Sequence, residues 1–150
     1  MMQKRLTNLN EAAAWEERPD ERGGVWRAVH LGGEHLGVRV EKLQPGEASS
    51  IHHFHSMEEE HVLILDGSAT LLLGADEVAV KAGDHCWFQA GSELAHHIEN
   101  RSSEDMKYLV FGERCAGDVV FYPEHRVMTV KALGWKRMTY REQAAPKPDA

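Results

Sequence analysis

The chain has 150 residues, with 17 Lys and Arg against 24 Asp and Glu, a formal net charge of −7 and a pI near 5.8. That length suits one domain able to bury a core without disulfide or metal staples, and the acidic balance argues against a nucleic-acid partner, whose phosphates need a basic face. With no apolar run of signal-peptide or membrane-span length, and with Cys86 and Cys115 outside any CxxC pattern, the expectation is a cytoplasmic, soluble protein with no membrane partner and reduced thiols.

Residues 1–24 read as a polar N-terminal arm. Asn10 is placed to cap a short helix over Glu11 to Glu17, and an extended arm laid across the body fits equally well. The breakers in Arg18 to Gly24 make that stretch a loop. From Val25 the β signals begin and hardly stop. Val25 to Val29 and Leu36 to Leu43 alternate as strands do, parted by Gly32-Gly33, and Pro45-Gly46 turns the chain into a histidine-bearing strand. Val62 to Leu65 and Ala69 to Leu73 are apolar runs joined through Asp66-Gly67, a dipeptide suited to a tight hairpin. Gly74 to Asp76 turns into Glu77 to Lys81, and Gly83-Asp84 opens His85 to Phe88. After a loop at Gly91 come Leu94 to Asn100, then Met106 to Phe111, and two weaker strands at Val119 to Pro123 and Arg126 to Val130. Short strands at regular spacing with little helix define an all-β antiparallel sandwich or barrel over residues 25–140. The Pro-rich tail, residues 141–150, is expected to be disordered.

Ten histidines are present, and seven of them fall in two windows, 52–61 and 85–97, interspersed with strand-like apolar positions. His53 and His55 stand two apart on a strand, so both imidazoles leave the same face. Glu60 opens the next apolar run. Two imidazoles and a carboxylate converging from adjacent strands make a mixed nitrogen and oxygen site for a transition metal. Solvated polar residues on a hairpin are the plain alternative.

Gly46, His53-Phe54-His55, Glu60 and Gly67, followed by Gly83-Asp84, Gly91, His96 and Asn100, resemble the two motifs of the cupin superfamily in their order. The resemblance implies a single-domain jelly-roll β-barrel and four metal ligands: His53, His55, Glu60 and His96. The chain departs from the usual pattern at Gln89, where most members carry Pro, in the longer Gly91 to His96 spacing, and at Gly46, one residue further from the histidine pair. The longer loop and the following Asp118-Val-Val-Phe-Tyr-Pro are similar to a subgroup of small bacterial cupins.

Strand parity places His96, Ile98 and Asn100 on one face and His97 and Glu99 on the other. By the same rule His52, His61 and His97 face outward, as bystanders or else as partners behind the site or at a subunit contact. Cys86 shares parity with Phe88 as a small core residue. His30, His35 and His125 are read as surface residues, Arg39 as an exposed one with contact to an anionic substrate as the alternative, and Asn100 as a hydrogen-bonder to a turn.

Three imidazoles and a carboxylate would hold one divalent transition ion per chain, Fe, Mn, Ni or Zn, with positions open for a small oxygen-bearing metabolite. The favoured expectation is a metal-dependent enzyme of dioxygenase type, with Glu60 able to leave the metal and act as base. Isomerase, epimerase or lyase chemistry on a sugar or small acid is the second reading. Tyr108, Tyr122 and Tyr140 lie outside both motifs, which disfavours a lyase built on a motif tyrosine. A non-catalytic ligand-binding or sensor module is the third. A homodimer is expected, with Trp15, Trp26 and Trp87 as candidates for its covered face.

Overall fold

Alternation from Val25 onward becomes a nearly all-strand molecule. A computed structural model describes residues 7–11, 14–20 and 22–141, and among these there is no α-helix. The strands are β1 (Glu16–Pro19), β2 (Val25–Gly32), β3 (Leu36–Leu43), β4 (Phe54–His55), β5 (Glu60–Asp66), β6 (Ser68–Leu73) and β7 (Asp76–Lys81). They continue as β8 (His85–Phe88), β9 (His96–Glu99), β10 (Met106–Glu113), β11 (Val119–Tyr122), β12 (Val127–Val130) and β13 (Lys136–Thr139). Single 3-10 turns at Pro123–His125 and Lys131–Leu133 flank β12.

Hydrogen bonding groups the strands into a six-stranded sheet, β1-β2-β3-β10-β5-β8, a four-stranded sheet, β13-β12-β11-β4, and a three-stranded sheet, β7-β6-β9. All pairs are antiparallel, as the strand spacing implied, and the three sheets form the jelly-roll arrangement without closing on one another by strand hydrogen bonds.

Two local expectations change. Helix or extended arm was open for residues 11–17; Glu16–Pro19 is an extended edge strand, with Arg18 opposite Trp26, while Ala12 and Ala13 lie outside the described residues, as does the tail 142–150. Asp66-Gly67 does not close a hairpin. β5 pairs with β10 and β8, and β6 with β7 and β9, so the chain changes sheet at Gly67. Gly67 has a left-handed backbone (φ +79°), and a Cβ there would meet Met106 Cβ and Asp105 O at 2.9 Å, so both conformation and space require glycine.

The apolar core joins the six-stranded and three-stranded sheets: Val62, Ile64, Met106 and Val110 pack with Leu71, Val80 and Ile98, and Cys86 belongs to it as its parity implied. Each large side chain so buried contributes about 2 kcal/mol. The β3–β10–β5 register also aims a second set of residues inward, and these are charged.

Candidate metal centre

His53 precedes β4 and forms an isolated antiparallel bridge with His96, the first residue of β9, so the two imidazoles meet with ring centroids 4.8 Å apart. Glu60 opens β5, opposite Gly112 of β10. A Cβ at Gly112 would collide with the Glu59 carbonyl oxygen, so the glycine lets β10 approach where β5 delivers Glu60. His53, Glu60 and His96 each bring one ligand atom within 4.8 Å of the others. His55 is the neighbour of this trio: its ring centroid lies 5.2 Å from that of His53.

Hydrogen bonds assign the tautomers. His53 Nδ1 faces the Ile51 carbonyl at 2.8 Å and His55 Nδ1 faces an Asp118 carboxylate oxygen at 2.7 Å. Both partners only accept, so Nδ1 carries the proton and Nε2 keeps its lone pair for a ligand. His96 has Nε2 3.4 Å from Glu60 Oε1, and its buried Nδ1 has no partner. Phe88 stacks on that ring at 3.6 Å and fixes its plane. Burial and the neighbouring His96 and His55 push the His53 imidazole down to about 3. Burial raises Glu60, but the His96 hydrogen bond and the charges of His96, His53 and Arg39 outweigh it and leave the carboxyl at about 2. At neutral pH the apo site therefore presents neutral His53 and ionised Glu60, the forms a metal needs.

A second group, His55, Glu58 and Asp118, stands directly behind the first. Asp118, fully buried ahead of β11, accepts from His55, from the Met57 N–H at 2.9 Å, from the Glu58 N–H at 3.3 Å and from the Ser56 hydroxyl at 3.2 Å. Burial opposes its charge, yet the His55 bond, the Met57 amide and Lys131 hold its carboxyl well below the usual range. Lys131 Nζ pairs with Glu58 and lies 3.3 Å from Asp118, filling the place a second cation would take.

The site opens into a cavity of about 550 Å³. Several lining residues lie outside the four expected ligands. Glu41, 3% exposed, accepts hydrogen bonds from Arg39 Nε and from the Tyr108 hydroxyl. Arg39 is on the cavity wall and not on the outer surface, because β3 aims positions 39 and 41 inward together. Tyr108 and Tyr122 also line the cavity, so lying outside the motifs did not put them outside the site. Asp118, Glu58 and Lys131 are the other omissions.

The bystander histidines form pairs of their own. His52 is buried and shares a 2.8 Å contact with His97, which donates to Glu99 and also borders the cavity. His61 stacks between Phe111 and His85 on the outer face. Asn100 ties its turn by donating to the carbonyls of Leu43 and Glu104.

Free Nε2 atoms on His53 and His55, and His96 Nε2 facing an ionised Glu60, fit a divalent transition ion, and the site defines the class: a β-barrel with a candidate metal centre lining a cavity. Residues 39–112 match the family model described as a cupin domain, and with the fold this places the chain in the cupin superfamily. It is similar to a structure from Acidithiobacillus ferrooxidans provisionally described as a sugar phosphate isomerase, at 28% identity over 95% of this chain and 98% of that one, with a TM-score of 0.82. A cupin-superfamily sugar phosphate isomerase from Silicibacter pomeroyi matches at 27% identity over 76% of each chain, with a TM-score of 0.73. An oxalate-binding protein from Thermotoga maritima is 35% identical over 68 residues, 45% of this chain and 54% of that protein, so the match spans about half of the curated relative. No helix among the described residues is long and apolar enough to cross a membrane.

Proposed function

We propose that this cupin is a metal-dependent isomerase acting on a phosphorylated sugar, with His53, His55, Glu60 and His96 holding one divalent ion. The observation that carries the reading is the cavity: a mixed histidine and carboxylate cluster at its floor, and Arg18, Arg22, Arg39 and Lys131 on its walls. The same walls carry Asp20, Glu41, Glu58 and Glu60, so the Arg and Lys side chains give no net positive excess, and an anionic substrate would be held by an individual cation with hydrogen-bonding capacity left over. The likeness to two proteins described as sugar phosphate isomerases supports the same substrate class.

The metal, when bound, supplies Lewis-acid polarisation of a substrate oxygen. The chain does the rest. Phe88 and the His53–His96 bridge fix the imidazole planes, Asp118 orients His55, and Val62, Val110 and Val120 make the apolar part of a wall that limits water at the reacting carbons. Glu60, ionised and on the cavity wall, would help hold the ion and, on leaving it, would be the base that takes the substrate C–H proton.

The oxygen-activating reading has the donor set in its favour and nothing else that an isomerase lacks. Protein reconstituted separately with Mn(II), Fe(II), Ni(II) and Zn(II) and given ribose 5-phosphate or fructose 6-phosphate in D₂O under argon should exchange a substrate C–H for deuterium. Zinc should support exchange too, since no redox step is involved. Exchange absent under argon, with O₂ consumed by the Fe(II) form on a chelating enol, overturns the proposal in favour of a dioxygenase. Ligand-dependent stabilisation with every metal and turnover with none would establish a binding module instead.

A further inference from the structure

Four cations border the cavity, and they differ in what they have left to give. Lys131 is taken by Glu58 and Asp118 and lies over the Trp135 ring at 4.7 Å. Arg22 is taken by Asp20 and by the carbonyls of Ala48 and Ser50. Arg18 lies at the rim, stacked over Trp26 at 4.1 Å. Arg39 spends only Nε, on Glu41, and neither terminal amino group has a hydrogen-bond partner among the described residues. Its side chain is 34% exposed, whereas the Glu41 carboxylate beneath it is 3% exposed and held from behind by the Tyr108 hydroxyl.

Burying a carboxylate and a phenol inside a barrel costs several kcal/mol unless every polar atom is satisfied, and an apolar pair would pack there more cheaply. Behind Arg39 the arrangement has a use. A guanidinium pinned through Nε leaves its two terminal amino groups as a planar fork, the shape that takes two oxygens of one oxyanion. Arg39 lines the same cavity as His53, Glu60 and His96.

We propose that Arg39 is the anion-binding residue of the cavity, its terminal fork taking the phosphate or carboxylate group of the substrate, with Glu41 and Tyr108 as the buried buttress that sets its orientation. The inference deepens the isomerase reading by naming the residue that selects an anionic substrate. It also stands apart from that reading, because a fork made by the protein alone binds an anion without metal and without turnover.

The test uses full-length protein stripped with EDTA, titrated by calorimetry with inorganic phosphate, ribose 5-phosphate and oxalate. Whichever of the three binds tightest identifies the oxyanion, phosphate or carboxylate. Arg39→Gln should weaken that ligand at least thirtyfold. Arg39→Lys, which keeps the charge and the partner of Glu41 and so protects the fold, should weaken it about tenfold because a point charge replaces the fork. Glu41→Gln should weaken it three- to tenfold through lost orientation, and Tyr108→Phe less, while Arg18→Gln should stay within twofold. Binding by both Arg39 variants within threefold of wild type overturns the assignment, as does a loss in Arg18→Gln equal to that in Arg39→Gln. A metal-free wild type that binds none of the three also overturns it. Anion binding that depends on Arg39, in a protein that exchanges no deuterium into either sugar phosphate, would remove the isomerase reading and keep this one.

Discussion

Asp118→Asn separates the role of the residues behind the site from that of the ligands themselves. In the native protein Oδ1 accepts from Ser56, Met57 and Glu58, and Oδ2 accepts from His55 Nδ1 and faces Lys131 Nζ at 3.3 Å. An asparagine amide oxygen can keep the first three. Its NH₂ must then occupy the Oδ2 position, where it meets a ring N–H and an ammonium, both donors. The cheapest escape is for His55 to move its proton to Nε2 and accept at Nδ1, which removes the lone pair from the nitrogen that would bind metal. Losing such an orienting partner lowers metal affinity by roughly 10- to 100-fold, or about 1.4–2.7 kcal/mol. The lost charge-assisted hydrogen bond costs the fold a further ~2 kcal/mol, so the variant should remain folded with a lower midpoint. Chelator competition gives the metal dissociation constant, and ¹⁵N NMR of the histidine rings reports the tautomer. A dissociation constant within threefold of wild type, with the His55 proton still on Nδ1, would refute the assignment of Asp118 as the residue that orients His55.

Four further outcomes follow from the same geometry. His53→Ala or His96→Ala should largely abolish binding of the single ion measured by elemental analysis, whereas His52→Ala and His97→Ala should retain most of it; equal losses would mean that the His52–His97 pair belongs to the ligand set. In metal-free protein, folding lowers His53 from 6.5 to about 3, so the unfolded chain binds the extra proton and stability falls as pH drops below 6.5. Between pH 6.5 and 5 the loss is about 2 kcal/mol, and denaturant titrations of His53→Gln should show a correspondingly flatter pH dependence. Gly112→Ala pushes β10 against the Glu59 carbonyl and should cost about 2 kcal/mol and reduce metal content through Glu60; unchanged metal content would show that β5 shifts without disturbing the ligand. Light scattering at micromolar concentration should give a dimer, with Trp87, 56% exposed, in its covered face, and a Trp87→Lys variant should shift it toward monomer.

What the sequence determined by itself is what is local. Period-two alternation marks strands because side chains alternate across a pleat, and the pattern from Val25 to Val130 was enough for an all-β barrel. His53, His55 and Glu60 were legible because they fall within one short stretch whose parity can be counted, and the second motif added His96. Tertiary structure decided everything that depends on which strand lies beside which. The Asp66-Gly67 turn has the chemistry of a hairpin, yet the chain changes sheet there because β5 finds β10 and β6 finds β9. Arg39 on an alternating strand reads as exposed or as a contact for an anion, and its place is decided only when β10 lies next to β3, bringing Tyr108 to Glu41 across 67 positions of sequence. Asp118 meets His55 across 63 positions by the pairing of β4 with β11. A carboxylate's role is set by what faces it, and antiparallel pairing between distant strands leaves no periodic trace of that partner in either strand.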